Sequence, residues 1–321
     1  MKNIKIIALL TCLCLSVQTF AAFTFRDGEF VNLNNVATLS EQGHFKLGCT
    51  AVRYRDLEKA IKEFNLVRIN FPECEEGQAA LYYLGICYFY SSEFDIANEY
   101  FSEYLQSPFG REYFESAVEY KLAIANKFAE GEKRRGFCNK HMPRMMCGED
   151  LALQIYDEVS ATLPCHELAV WALYCKAQLQ WRRNCYYESI DTFQQLIRRF
   201  PKHELAPESY LTISYIYLEQ CDRELHNSDL LAFSQINLKK FQQDFPREDR
   251  LCQAEANLLA MKELYAHALY ETGEFYIRKG RPGASVIYYQ NVLDRYPETA
   301  IADHCTQRLV FYKRPVCLPE S

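Results

Sequence analysis

Past residue 20 the chain has no apolar run long enough to cross a membrane, and outside residues 131–148 it has no cluster of basic residues. The first absence argues against a membrane-spanning protein, because a spanning helix needs roughly 20 apolar residues. The second absence, together with a formal net charge of −6, removes the electrostatic footprint on which nucleic-acid binding depends. We therefore expect no nucleic-acid partner.

Several catalytic motifs are also missing. The sequence has no glycine-rich phosphate loop, no Gly-x-Ser-x-Gly elbow and no His-Glu-x-x-His pair. His166-Glu167 and His203-Glu204 are not followed by a second histidine at the required offset. We predict that the protein is not an enzyme and binds no cofactor and no metal.

The first residues have the three parts of a secretory leader. Met1 to Lys5 is basic, residues 6–17 are uncharged and mostly apolar, and the small residues Ala21 and Ala22 follow. We predict a signal peptide over residues 1–21, cleaved near Ala21 or Ala22. A lipid anchor at Cys12 is the alternative, although Leu9-Leu10-Thr11 lacks the small residue that usually precedes a lipidated cysteine.

Small and aromatic residues recur at fixed spacing, each set ending in a proline. The clearest sets are Gly48, Ala60, Phe64 and Pro72; Ala177, Ser189, Phe193 and Pro201; and Gly273, Ser285, Tyr289 and Pro297. The gaps in each set are 12, 4 and 8 residues. This is the spacing of tetratricopeptide repeats, helix–turn–helix units of about 34 residues that must stack to bury their apolar faces.

The repeats predict an all-α fold, a TPR-like solenoid of helical hairpins. We expect five to six repeats within residues 41–312, including a C-terminal capping helix at residues 299–312. Residues 22–40 have no repeat anchors and predict an extended or weakly ordered N-terminal arm, and residues 313–321 form a tail. The basic, methionine-rich stretch 131–148 interrupts the third repeat and predicts a surface loop.

Fourteen cysteines, two of them in the leader, suggest disulfides in an oxidising compartment. Cys138 with Cys147 is the favoured pair, because both lie in the inserted stretch. A metal site formed by Cys138, His141 and Cys147 is the less favoured alternative, since no fourth ligand is evident.

Aromatic and arginine side chains on the first helix of each repeat are candidates for binding other polypeptides. In such repeats the first helix lines the inner groove, and the positions that project into it are Phe45, Arg53, Tyr82, Phe89, Tyr90, Trp171, Tyr174, Trp181, Tyr270 and Arg278. Aromatic rings offer a large contact area at little entropic cost, and arginine holds a carboxylate by two hydrogen bonds. The structural alternative is that these side chains pack between helices.

The last repeat resembles a known family. Residues 273–280 (GEFYIRKG) and 292–299 (VLDRYPET) are similar to the closing repeat of the BamD-like (YfiO/ComL-type) tetratricopeptide lipoproteins of Gram-negative bacteria. Those proteins belong to the machinery that assembles β-barrel proteins in the outer membrane. The opening repeats, with Ala60, Phe64 and Phe71-Pro72, are similar as well.

The resemblance implies a periplasmic scaffold at the inner face of the outer membrane. Such a scaffold would dock on the POTRA domains of a BamA-like barrel-inserting subunit and capture unfolded outer-membrane proteins. Its association with the membrane would come through these partners or through a lipid anchor. The chain departs from the family at Tyr288, where an arginine usually makes the subunit contact, so Arg278 or Arg281 would have to substitute.

Two other functions are compatible with exported helical repeats. A Tol–Pal-associated protein that coordinates cell division or peptidoglycan work usually has a coiled coil before its repeats, and residues 23–39 show no sustained heptads. A solenoid glycan hydrolase would add a separate catalytic domain with paired acidic residues, for which the repeats leave no room.

Overall fold

A computed structural model describes residues 23–26, 29–32, 36–107, 112–135, 143–224, 227 and 229–313. The chain forms two compact units, one ending at Gly148 and the other beginning at Glu149. None of the helices in the described part combines the length and the hydropathy needed to cross a membrane.

Unit one contains five helices in its described residues, each packed against the next. They are α1 (Glu41–Arg53), α2 (Leu57–Asn70), α3 (Glu75–Tyr90), α4 (Phe94–Gln106) and α5 (Phe114–Ala129). Four short strands form two separate antiparallel hairpins: β1 (Phe23–Arg26) with β2 (Glu29–Asn32), and β3 (Lys133–Arg135) with β4 (Arg144–Cys147).

Unit two contains eight helices in its described residues. They are α6 (Glu149–Thr162), α7 (Glu167–Arg182), α8 (Tyr186–Arg199), α9 (Leu205–Arg223), α10 (Asp229–Asp244), α11 (Leu251–Arg278), α12 (Pro282–Arg295) and α13 (Ala300–Lys313). The 28-residue helix α11 packs on α9 and α10 with Met261 and Tyr265, and on α12 and α13 with Ala266 and Tyr270. The all-α prediction is confirmed, and α13 is the helix expected at the end of the repeats.

Close packing of small residues against aromatic rings defines the helical hairpins. A Cβ atom added to Gly48, Gly85 or Gly273 would lie 2.6–2.7 Å from a ring carbon of the aromatic residue sixteen positions later. Those rings belong to Phe64, Phe101 and Tyr289, and all three are fully buried. Only a residue without a side chain permits this close approach of the two helices, which is why the anchors predicted the pairs.

The turns inside four of the described hairpins each have one residue in the left-handed region. Arg55, Ser92, Asn184 and Gly280 have φ of 59–70°, and each lies seven residues after the small anchor of its first helix. In the first of these turns the Asp56 N–H donates to the Ala51 carbonyl at 2.9 Å, and the other three repeat this bond. This Schellman arrangement satisfies carbonyl groups that the helix end would otherwise leave unpaired.

In three hairpins the second helix ends at the aromatic residue that precedes the proline at the end of the repeat. Phe71, Phe200 and Tyr296 have φ near −130 to −136° and ψ of 52–58°, outside the helical region. Proline disfavours the helical conformation in the residue that precedes it, and so the sequence itself stops these helices.

The N-terminal arm and the insertion contain more structure than the sequence predicted. Residues 23–26 pair with residues 29–32 as β1 and β2 where an extended arm was expected. Both ends of the 131–148 stretch pair as β3 and β4, with an irregular register between Arg134 and Arg135, where an irregular loop was expected. The sequence did not predict the pairing of β3 with β4, because these two short strands lack an alternating hydrophobic pattern.

The predicted disulfide and the alternative metal site fall partly outside the described residues. Cys138 and His141 are not described, so the pairing with Cys147 remains a prediction. No two of the ten described cysteines form a disulfide with each other, and Cys147 is exposed. Within the described residues no three His, Cys, Asp or Glu side chains are grouped as metal ligands.

Candidate functional site

Tyr82 was predicted to project into a groove, but it is buried in unit one. Only 7% of its surface is exposed. Its ring stacks on that of Tyr113 with centroids 4.6 Å apart, and it contacts the rings of Tyr83, Phe101, Tyr104 and Tyr120 at 5.5–6.3 Å. The assignment of Tyr82 to an accessible binding surface is therefore corrected: its role in this structure is packing.

Four other candidates are partly buried by contacts within their own unit. Phe45 packs edge-on against Phe64 at 5.6 Å, and Tyr174 does the same against Phe193 at 5.8 Å. Trp181 donates its indole N–H to Glu219 at 2.8 Å, and Tyr270 packs against Tyr289 at 5.6 Å. These side chains chiefly fill the spaces between helices, which is the structural alternative weighed above.

The remaining candidates are accessible or lie directly beneath an accessible ring. Arg53, Tyr90, Trp171 and Arg278 are exposed, and Phe89 is partly buried. Trp171 has a long hydrogen bond from its indole N–H to Glu167 at 3.4 Å. Arg53 ends α1 and Tyr90 ends α3, so the two occupy the last position of the first helix in successive repeats.

Tyr90 has the geometry expected of a binding aromatic. Its side chain is 64% exposed, yet its ring lies edge-on against Phe89, with centroids 5.7 Å apart and planes at 86°. Phe89 is itself held by edge contacts to Phe94 at 5.5 Å and Tyr120 at 5.2 Å. Burial and then a hydrogen bond with Tyr90 raise the pKa of Tyr120, so the Tyr120 hydroxyl stays protonated at neutral pH. The exposed ring of Tyr90 is thus held in place by Phe89 and loses little conformational entropy on binding.

An ionic clamp fastens the β3–β4 hairpin to the start of α4. Arg135 donates from Nε and Nη2 to the two carboxylate oxygens of Glu93 at 2.8 and 2.7 Å, and Arg144 lies 3.1 Å from the same carboxylate. These hydrogen bonds, the one from Arg135 first, hold the pKa of Glu93 below its ordinary value despite partial burial. The sequence gave no sign of this site, because its partners lie 42 residues apart.

Asp95 completes the clamp on its buried side. Its Oδ2 accepts a hydrogen bond from the Arg135 backbone N–H at 2.6 Å, while its Oδ1 has no hydrogen-bond partner among the described residues. Burial raises the pKa of Asp95, and the backbone bond and nearby arginines only partly oppose that shift. The clamp therefore joins one carboxylate whose charge is stabilised by two arginines to one that is costly to bury.

Tyr288, which stands where the resembled family has a docking arginine, packs on its own unit. Its ring stacks on that of Tyr276 with centroids 5.4 Å apart and planes at 15°. Arg278 and Arg281, the two possible substitutes, are both exposed.

Comparison with known proteins finds one repeat in each of the two units. The family model for the tetratricopeptide repeat matches residues 79–108, which cover most of α3 and α4, and residues 267–299, which cover the end of α11 and all of α12. No curated protein matches the chain.

Several solved structures match the chain at low sequence identity and low TM-score. MamA from Desulfovibrio magneticus RS-1 (residues 41 to the end) is 14% identical, with 66% of this chain and 99% of that chain covered and a TM-score of 0.34. A tetratricopeptide repeat protein from Parabacteroides merdae ATCC 43184 is 12% identical, with 84% and 98% covered and a TM-score of 0.36. The P58(IPK) TPR domain is 15% identical, with 84% and 77% covered and a TM-score of 0.30.

The two repeat matches coincide with hairpins that show the small-to-aromatic contacts described above, Gly85 with Phe101 and Gly273 with Tyr289. The chain thus contains tetratricopeptide repeats within an all-α arrangement of helical hairpins.

Proposed function

We propose that the protein is a periplasmic, BamD-like scaffold of the outer-membrane β-barrel assembly machinery. In this proposal it docks on a BamA-like barrel-inserting subunit and holds unfolded outer-membrane proteins, without covalent chemistry and without a cofactor. The leader sequence and the resemblance of the first and last repeats support it. The signal peptide would be removed near Ala21 or Ala22, which would leave the repeats in the periplasm.

The observation that carries the binding role is the supported, exposed ring of Tyr90. A peptide that covers this ring would desolvate a large apolar area without first having to order it. Arg53, at the equivalent position of the preceding repeat, adds an exposed cation that suits a carboxylate. An unfolded polypeptide with an aromatic, C-terminal end would match both groups.

Fluorescence anisotropy with a labelled C-terminal peptide of an outer-membrane β-barrel protein tests this site. We expect Tyr90→Ala to weaken binding by about 2 kcal/mol, roughly 30-fold, if Tyr90 is a main contact. Tyr187→Ala is the matched control, since Tyr187 is 66% exposed but lies on α8 of unit two. Equal loss in both variants, or none in Tyr90→Ala, would remove Tyr90 from the binding site.

The identity of the machinery needs a separate experiment. Crosslinking in cell envelopes followed by purification of the chain should recover a barrel-inserting protein with several periplasmic repeats. Recovery of Tol–Pal components in its place would refute the assembly role while leaving the peptide-binding result intact.

A further inference from the structure

A second apolar surface lies in unit two, between α8 and α10, with α9 forming its floor. We call it the α8–α10 groove; it encloses about 140 Å³. Ile197 and Tyr217 form the buried base, and Phe233 and Ile236 form one wall. Phe233 and Ile236 are 47% and 52% exposed, which is unusual for such large apolar side chains at neighbouring positions.

The exposed wall is ordered by the helix on which it lies. Phe233, Ile236 and Lys240 fall at successive turns of α10 and therefore form a single stripe. The ring of Phe233 stacks on that of Tyr217, with centroids 6.4 Å apart and planes at 29°. The exposed ring of Phe233 is thus held in place by its packing on Tyr217.

The backbone of the groove favours a helical occupant. All its walls are helices, whose N–H and C=O groups are already bonded within each helix, so an extended peptide would find no backbone partners here. A helix satisfies its own backbone and needs only a matching side-chain stripe. The stripe from Phe233 to Lys240 is about 10 Å long, which corresponds to two helical turns.

The charges around the groove indicate which helix would fit. Arg198 lines it from α8 and Lys240 from α10, and both are exposed. Arg198 faces Asp191 at 3.8 Å, but both side chains are largely exposed, so this pair is weak and easily exchanged. Two cations beside an apolar floor, in a chain whose net charge is −6, form a local positive site that complements acidic residues.

From this geometry we propose that the α8–α10 groove binds an amphipathic helix of a partner protein that carries acidic residues beside its apolar stripe. This surface is separate from the Tyr90 site and does not depend on the assembly role proposed above. It would give the scaffold a second, helix-specific contact.

Binding of designed peptides to the full chain tests the proposal by fluorescence anisotropy. The probe is a labelled 14-residue helical peptide with leucines along one stripe flanked by glutamates. The comparison peptides have lysines in place of those glutamates, or a proline at the centre that breaks the helix. We expect the acidic helix to bind at least tenfold more tightly than either comparison peptide.

Variants locate the binding to the groove. Ile236→Ser should weaken binding of the acidic helix at least tenfold, whereas Ile287→Ser, at an isoleucine on α12 that is also more than half exposed, should not. Lys240→Glu should reverse the preference toward the lysine peptide. Lys239→Glu is its control, because Lys239 is exposed on α10 but does not line the groove. Circular dichroism verifies that each variant keeps its helical content.

Three outcomes would overturn the proposal. One is equal binding of the acidic and basic helices, which would remove the charge selection. Another is equal binding of the proline-containing peptide, which would remove the helical occupant. The third is self-association of the chain that Ile236→Ser abolishes in sedimentation velocity, since a second copy would then occupy the groove.

Discussion

Replacing Tyr82 by alanine separates the packing role of this residue from the binding role that its position in the repeat predicted. The substitution removes a ring that stacks on Tyr113 at 4.6 Å and contacts four further aromatic rings, and it leaves a cavity at the junction of α3, α4 and α5. Truncation of a fully packed aromatic residue costs about 3–5 kcal/mol. We expect Tyr82→Ala to destabilise the protein by an amount in that range.

The comparison with Tyr90→Ala gives this prediction its discriminating power. Tyr90 lies on the same helix but is 64% exposed, so its loss should change the stability by less than about 1 kcal/mol. Tyr82→Phe keeps the ring and removes only the hydroxyl, which interacts with Ser116, so it should cost about 1 kcal/mol.

Urea denaturation of the full chain, followed by circular dichroism at 222 nm, measures all three variants. Peptide binding is measured in parallel under conditions where each variant remains folded. The reasoning fails if Tyr82→Ala is as stable as the native chain while its peptide affinity falls, because Tyr82 would then be an accessible binding residue after all.

Two further predictions concern the helical hairpins and the clamp. Gly85→Ala should destabilise the protein by about 1–2 kcal/mol in urea denaturation, because an added Cβ would lie 2.7 Å from the ring of Phe101. Overpacking of this kind costs about 1–3 kcal/mol, and the higher helix propensity of alanine offsets part of that cost. Gly283→Ala, where the added Cβ meets no atom within 4 Å, should instead stabilise by up to about 1 kcal/mol; equal effects of the two substitutions would contradict the packing argument. The pKa of Glu93 is lowered in the folded state, so its carboxylate stabilises the fold at a pH above its unfolded pKa of about 4.3, and this contribution is lost as the pH falls further. Glu93→Gln should therefore reduce the stability of the fold at pH 7 and make that stability less dependent on pH in acid. The pKa of Asp95 is raised in the folded state, so its charged form opposes folding at neutral pH. Asp95→Asn should therefore raise stability at pH 7 and lose that advantage in acid. Thermal melts from pH 3 to pH 8 measure both variants, and a stability change of the same sign in both would exclude this account.

The sequence predicted the helical hairpins because their determinants are local or regularly spaced. Gly273 and Tyr289 are sixteen residues apart, and the short turn between α11 and α12 brings them into contact across the hairpin. The prolines after Phe71, Phe200 and Tyr296 stop helices through steric effects on the preceding residue alone. Such constraints act within one repeat and can be read without knowing the rest of the chain.

The clamp and the hairpin that it holds could not be predicted in this way. Arg135 and Glu93 are separated by 42 residues and by two helices, and neither belongs to a recognisable motif. Two oppositely charged residues in a sequence are ordinarily solvent-exposed side chains that interact weakly. Only the pairing of β3 with β4 brings the arginines to the start of α4.

Sequence alone determined that the chain forms stacked helical pairs, since a missing side chain at Gly48 and Gly273 permits a close approach that larger residues forbid. Tertiary structure alone decided which aromatic residues are free to bind. Tyr82 and Tyr90 are both aromatic residues on α3 at positions predicted to face a groove, yet Tyr113 and α5 cover the first and leave the second exposed. The physical reason is that burial depends on every neighbour in space, whereas the repeat pattern specifies only the neighbours along the chain.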